Sequence, residues 1–229
     1  MDGGTRLVKR CSCYCHTGGI IFLRKGYKVN KQKIREYAEV IFFALLIAFF
    51  VRTFIVQAFT IPSGSMKPSL QIGDFLLTNK LAYGIRVPLI DKFILRFAPP
   101  EQGDMLVFQF PLDRSKDFIK RVIAVPGDSV EIKNKQLFVN EILQEHEFAV
   151  FADENILPAG ISTRDNLPRF IVPEDSFFVM GDNRDQSHDS RFWGFVKRDD
   201  ILGEALIIYW SWDSENFTPR WKRIGKILH

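Results

Sequence analysis

Hydrophobic and polar positions divide this chain into one helix-length apolar segment and a series of short alternating runs. Residues 40–51 are apolar without a break, and apolar character resumes over residues 54–59. The twenty residues 40–59 would span about 30 Å as an α-helix, which matches the hydrocarbon core of a bilayer. Arg52 lies near the far end, where a long side chain can reach the interface. We therefore predict a transmembrane anchor over residues 37–58.

Two alternatives to an uncleaved anchor exist for this segment. A cleaved signal peptide needs small residues at its cleavage site, typically in an A-x-A pattern. Here the only candidate is Ala58 with Val56 two positions before it, which is a poor match. The second alternative is the buried core helix of a soluble protein. The length of the apolar stretch and its basic flank favour the anchor.

Beyond residue 60 the apolar runs are short, rich in β-branched and aromatic residues, and bounded by turn residues, which is typical of strands. The runs predicted as strands are 74–84, 104–111, 117–125, 129–140, 170–173, 176–182 and 204–212. Within 129–140 the pattern predicts a hairpin with Asn134 and Lys135 at the turn. The fold class is thus mainly β, a compact body of antiparallel sheets over residues 59–229 with a short inserted lobe at about 141–170.

Charge is distributed unevenly along the chain. The net charge is +4, but residues 1–36 carry nine Lys and Arg against two acids, so the remainder is mildly acidic. A mildly acidic body argues against nucleic-acid binding. Because the basic residues precede the apolar segment, the positive-inside rule predicts a cytoplasmic tail at 1–36 and a body on the other side of the membrane.

The three cysteines all lie in the basic tail, at Cys11, Cys13 and Cys15, next to His16. Alternate spacing is a poor match to zinc sites, which place two or more residues between paired cysteines. We interpret this stretch as an unstructured tail with free thiols, and we expect no metal or cofactor. A body without cysteine is compatible with an oxidising compartment.

The strand at 117–125 has apolar residues on both faces but carries two adjacent cations, Lys120 and Arg121. Neighbours in a strand point to opposite faces, so each cation meets a different environment. A desolvated lysine loses its proton more readily, and a neutral amine can act as a general base. The alternative is a lysine that forms a salt bridge on an edge strand.

A candidate nucleophile lies in the turn 61–70, where Ser63 and Ser65 flank Gly64. This stretch is also compatible with an ordinary membrane-proximal turn. A nucleophilic serine needs a base, and His188 with an aspartate would complete a triad, although no G-x-S-x-G motif is present. Lys120 is the better candidate base, since serine–lysine pairs are a known variant of the triad.

A third polar stretch, 181–191, lies between an apolar strand and an aromatic run. Arg121 points away from Lys120 and needs an anion, which Asp182 or Asp189 can supply, and Asp189 can also hold Arg191. Such pairs would fix this loop against the lysine strand. The alternative is a solvated hairpin loop.

Taken together, three motifs resemble the bacterial type I signal peptidases. They are SGSM at 63–66, KRVIAVPGD at 120–128 and GDNRDQSHDSR at 181–191, in the family's order and approximate spacing. The resemblance implies a mainly β catalytic body on the outer face of the inner membrane. It also implies a serine endopeptidase that removes signal peptides from exported preproteins, cutting after small residues.

The resemblance also implies roles for individual residues. Ser65 matches the nucleophile and Lys120 the general base, while the Ser63 hydroxyl and the Ser65 N–H match the oxyanion hole. Ser187 matches the serine that orients the lysine amine. The charged residues that match the braces of the site are Arg121, Asp182, Asp189 and Arg191. The apolar residues that match the substrate-binding surface are Phe59, Ile61, Met66, Leu70, Phe118 and Ile119.

Expected partners are signal peptides of secreted preproteins, the lipid bilayer and nearby export machinery, with no nucleic acid. Two other classes compete with this interpretation. One is a different serine–lysine enzyme, either a self-cleaving repressor-like peptidase or a processing peptidase for conjugation or pilus proteins. The other is a membrane-anchored β-domain that acts as an adaptor without catalysis.

Overall fold

The computed structural model describes residues 31–87 and 92–228. The cysteine motif therefore lies outside the described residues. The two α-helices are α1 (Lys31–Phe54) and α2 (Ser190–Trp193). The strands are β1 (Val56–Thr60), β2 (Asp74–Asn79), β3 (Gly84–Val87), β4 (Lys92–Arg96), β5 (Met105–Phe110), β6 (Asp113–Ala124), β7 (Ser129–Lys133), β8 (Gln136–Val139), β9 (Ile142–Leu143), β10 (Leu167–Ile171), β11 (Ser176–Met180), β12 (Val196–Lys197), β13 (Ile201–Asp213) and β14 (Thr218–Pro219).

Helix α1 contains the apolar segment and, by length and composition, is the one helix of the described residues that could cross a membrane, over Lys33–Phe54. It starts earlier and ends earlier than the predicted span of 37–58. The predicted anchor included residues 56–58, but β1 begins at Val56 and pairs with β2. In this pairing Val56 lies opposite Asn79, and Thr60 lies opposite Phe75. An apolar run suits a helix or a strand, and pairing with β2 decides between them here.

The main sheet has eight strands in the order β1-β2-β13-β5-β6-β11-β12, with β14 on β13. All of its pairings are antiparallel. The mainly β fold class is therefore confirmed, as is the strand that carries Lys120 and Arg121. That strand is longer than predicted, because β6 begins at Asp113 and forms a hairpin with β5.

A second sheet, in the order β10-β7-β8-β9, contains the hairpin that the sequence predicts at 129–140. Its turn residues Asn134 and Lys135 have φ of 50° and 70°. Two consecutive positive φ values are the geometry of the tight turns that match the twist of paired strands. The hairpin β3–β4 forms a separate two-stranded sheet that the sequence reading did not predict.

Candidate active site

The turn that holds Ser65 is fixed by backbone hydrogen bonds and by two buried side chains. Ile61 N–H donates to the Asp74 carbonyl at 2.9 Å, and Gly73 N–H donates to the Ile61 carbonyl at 3.0 Å. Met66 and Leu70 are 1% and 0% exposed. Burial of these apolar side chains on the C-terminal side of the serine holds the turn against the core. Ser65 thus sits on a rigid support.

Lys120 lies on β6 with its amine at this turn. Its Nζ donates to Ser65 Oγ at 2.6 Å, and the lysine is 4% exposed. In the part of the chain that the structure describes, Lys120 forms no salt bridge. The alternative of a salt-bridged edge lysine therefore does not describe this residue. A serine hydroxyl bonded to a buried amine is the arrangement that proton transfer from serine to lysine requires.

Burial is the main influence on the Lys120 amine. It lowers the pKa of Lys120 from 10.5 to about 8, because the ammonium form loses hydration inside the protein. The carboxylates of Asp189 and then Asp182 oppose this change, while Arg191 adds to it. A substantial fraction of the amine is therefore neutral at mildly alkaline pH and can accept a proton.

Arg121, the neighbour of Lys120, forms a two-point ion pair on its own side of the strand. Its Nε and Nη2 donate to the two oxygens of Asp182, each at 3.0 Å, and both side chains are almost completely buried. Its Nη1 donates to the Gly103 carbonyl at 2.8 Å, and its guanidinium lies 4.0 Å from the Phe148 ring centre. Such bidentate geometry ties the lysine strand to the loop that begins at Gly181.

A second ion pair closes that loop, defined here as residues 181–191 and called the catalytic loop. Arg191 donates from Nε and Nη2 to the two oxygens of Asp189, at 2.8 and 2.9 Å. Asp189 also accepts from the Gly181 N–H at 3.1 Å, so it joins both ends of the loop. The Arg191 side chain further donates to the carbonyls of Arg184 and Arg164.

The catalytic loop docks directly on the serine turn. Asn183 N–H donates to the Ser65 carbonyl at 3.1 Å, and its side-chain amide reaches the Gly64 carbonyl at 3.4 Å. A Cβ on Gly181 would lie 2.4 Å from the Ser65 carbonyl oxygen and 2.3 Å from Ser187 Oγ. Only glycine permits this approach. The turn and the loop therefore hold each other in register.

The remaining predicted polar residues are close to the pair but differ in their contacts. Ser63 Oγ lies 3.4 Å from Ser65 Oγ. Ser187 Oγ is buried and makes no hydrogen bond to any described residue, so its role toward the lysine stays a prediction. His188 is exposed and stacks on Phe192, with no hydrogen bond to Ser65 or to an aspartate among the described residues. The geometry thus gives no support to the triad.

An apolar cleft of about 400 Å³ opens at the serine–lysine pair. Its walls include four residues of the predicted substrate-binding surface: Phe59, Ile61, Phe118 and Ile119. Leu76, Val107, Gln186 and His188 also line it, although the sequence reading assigned none of them to this surface. Met66 and Leu70, which that reading did assign to it, are buried in the core beside Ile61. Their contribution to the cleft is to support its wall.

Gly181 and Asn183 contact the serine turn directly, and sequence reasoning assigned neither of them to the site. Both belong to the motif at 181–191, but a glycine at the end of a strand is typical of a turn and was interpreted as one. The close approach of the Gly181 backbone to Ser65 depends on two segments that are more than 100 residues apart in sequence. The pattern of residues within one segment does not predict a contact with a distant segment.

We expect Gly181→Ala to lower the activity of the serine–lysine site at least tenfold, because its methyl group would displace the Ser65 carbonyl and the Ser187 side chain. The matched control is Gly160→Ala, since a Cβ at Gly160 meets no atom within 4 Å. Initial rates on one fixed substrate, with thermal melting to verify folding, measure the effect. Equal activity of Gly181→Ala and Gly160→Ala would show that the tight contact is unimportant.

Comparisons with known proteins place this chain among the serine peptidases. A family model described as signal peptidase, peptidase S26, matches residues 34–210. Signal peptidase I of Pseudomonas fluorescens is 37% identical over 235 residues, covering 87% of this chain and 82% of that protein. Signal peptidase I of Aquifex aeolicus is 35% identical over 237 residues, covering 81% and 88% respectively. The chain therefore belongs to the signal peptidase family, peptidase S26.

Among solved structures, the crystal structure of a signal peptidase I from Enterococcus faecalis V583 is 28% identical, with a TM-score of 0.38. The match covers 47% of this chain and 97% of that one. The family assignment, together with the apolar helix α1, indicates a membrane-anchored serine endopeptidase.

Proposed function

We propose that this protein removes N-terminal signal peptides from exported preproteins, with Ser65 as nucleophile and Lys120 as general base. The observation that carries the proposal is the 2.6 Å hydrogen bond between the buried Lys120 amine and Ser65 Oγ. Family membership supports the reaction class, and the lowered pKa of Lys120 supports the direction of proton transfer.

In the proposed mechanism, neutral Lys120 takes the hydroxyl proton as Ser65 Oγ attacks the scissile carbonyl. The carbonyl oxygen becomes an anion, which the Ser65 N–H and the Ser63 hydroxyl stabilise. Each such donor contributes roughly 3 kcal/mol in the transition state. Lys120 then returns the proton to the leaving amine, and a water molecule repeats the sequence on the acyl-enzyme. Ser187 is proposed to orient the amine once the substrate is bound.

The preprotein is proposed to bind as an extended strand along β6. Residues 117–119 of β6 pair with β5 on one side, whereas β11 pairs only with residues from Arg121 onward. The second edge of 117–119 is therefore open to an added strand, as in β-augmentation. Residues one and three before the cut would then face the apolar wall formed by Ile61 and Ile119, where small side chains fit.

Replacement of the serine tests the function and separates it from an adaptor role. Purified full-length wild type should cleave a preprotein at a single site after a small residue, and Ser65→Ala should leave the preprotein intact. An adaptor would not cleave it in either form. A repressor-like enzyme would cut its own chain and spare the preprotein. Either of these results would refute the proposal.

The proposal places the protein in the bacterial cytoplasmic membrane, with the tail at 1–36 inside and the catalytic body outside. The basic flank before helix α1 supports this orientation. We expect protease added to intact spheroplasts to digest the body and to spare an epitope in the tail. Lysed spheroplasts are the control, in which both are digested. Full protection of the body in intact spheroplasts would contradict the proposed orientation, in which the body lies outside.

A further inference from the structure

A second pocket, called here the Arg184 pocket, lies on another side of the catalytic loop. Its volume is about 260 Å³, and it shares no lining residue with the cleft at Ser65. Its walls come from the start of β8, from the chain after β9 and from the catalytic loop itself. The lining residues used below are Lys135, Glu145, His146 and Arg184. The volume is below that of typical cofactor sites and suits a small ligand.

Arg184 is the unusual member of this wall. It is 3% exposed, and its Nε and Nη2 are buried without a hydrogen-bond partner among the described residues. A guanidinium remains protonated at neutral pH, so this is a buried charge that lacks an ion pair. Burial, followed by repulsion from Arg191, lowers the pKa of Arg184 to about 10, which still leaves it charged. A buried cation in this state costs several kcal/mol unless an anion accompanies it.

The nearby carboxylates are already used by other cations. Asp182 is paired with Arg121, and Asp189 with Arg191, each through both oxygens. Asp185 accepts from Lys135 at 3.0 Å. Arg184 is therefore the arginine of the catalytic loop whose charge is not matched by a partner within the described residues.

His146 supplies a second free donor in the same pocket. Its Nε2 is buried and makes no hydrogen bond within the part of the chain that the structure describes. Burial first, and then the charges of Arg184 and Arg121, lower the pKa of His146, while Asp182 opposes them. Lys135 lines the pocket but is held by Asp185 and by the Asp153 carbonyl. Glu145 is exposed, and it makes no ion pair with Arg184.

We propose that the Arg184 pocket binds a phosphate-class oxyanion, which Arg184 and His146 contact together. The guanidinium presents paired N–H donors that match two oxygens of such an anion, and the imidazole N–H can reach a third. Binding would neutralise Arg184 and would connect the chain after β9 to the catalytic loop. The shared chemistry is a phosphate group, either free in solution or on the headgroup of an anionic phospholipid.

The chain has four histidines, so the imidazole signals of ¹³C-histidine-labelled full-length protein can be resolved by NMR. The protein is held in a non-ionic maltoside detergent, and His146→Gln assigns its signal. One arm titrates inorganic phosphate against chloride at matched ionic strength. The other adds phosphatidylglycerol to the micelles without phosphate. We expect at least one arm to raise the pKa of His146 saturably, because a neighbouring anion stabilises the imidazolium.

The variants localise the effect. Arg184→Gln should remove the response, whereas Arg169→Gln should keep it, since Arg169 is exposed and pairs with Glu141. If Arg184→Gln does not fold, Arg184→Lys keeps the charge without the paired donors and should bind more weakly. Within the wild type the shift should be confined to His146. No saturable shift in either arm, or an equal shift in His188, or an unchanged response in Arg184→Gln would overturn the proposal.

Discussion

Replacing Lys120 with alanine is expected to lower the rate of preprotein cleavage by about 10⁴-fold or more, because Ser65 would lose its base. The fold should survive, since the substitution removes a buried cation instead of orphaning one. Asp182 and Asp189 keep their partners Arg121 and Arg191. Single-turnover cleavage by purified full-length variants measures the loss, and thermal melting verifies that each variant is folded.

Two further variants make this experiment specific to proton transfer. Lys120→Arg should be as inactive as Lys120→Ala, because a guanidinium stays protonated. His188→Ala should keep the catalytic step, since His188 lines the cleft but makes no hydrogen bond to Ser65. An active Lys120→Ala together with an inactive His188→Ala would replace the serine–lysine mechanism with the triad.

A change in the substrate should have an effect of similar size. When the alanine directly before the cut is replaced by phenylalanine, we expect cleavage of that preprotein to be abolished. The extended substrate would point this side chain into the wall formed by Ile61 and Ile119, beside the serine. A large ring there would push the scissile carbonyl away from Ser65 Oγ, and small displacements of this kind are costly to catalysis. Quantitative immunoblots of precursor and mature forms give the rates.

The matched control places the same phenylalanine two residues before the cut. Because side chains alternate along an extended strand, this position faces away from the wall and should tolerate the ring. Equal cleavage of both substituted substrates would contradict the proposed binding register, whereas loss in both would point to a general defect in recognition.

The features that local pattern encodes were predicted well. The run at 117–125 has apolar residues on both faces, as in a strand covered on two sides, and residues 117–124 lie in β6 with Lys120 and Arg121 both buried. The turn at Asn134 and Lys135 has the predicted position and the positive φ values of a tight hairpin. Both features depend on residues that are close in sequence, which is why pattern was sufficient.

Features that depend on distant pairing were not predicted. The end of helix α1 and the start of β1 are set by pairing with β2, which apolar character alone does not reveal. The assignment of Met66 and Leu70 to the substrate-binding surface was implied by the family resemblance and not by a pattern in the sequence. The structure turns both side chains into the core. A turn can direct neighbouring residues to opposite environments, so proximity in sequence does not settle which side chains line a cleft.

The central claim is that Lys120 is a buried base with a strongly lowered pKa, and the pH dependence of kcat/KM tests it most directly. This quantity reports the ionisation of the free enzyme. The base must be neutral, so activity should be low in acid and should rise through an ascending limb at about pH 8, the pKa of Lys120. The limb should be unchanged in His188→Ala. An ascending limb at about pH 6.5, the ordinary pKa of histidine, that disappears in His188→Ala would contradict the account.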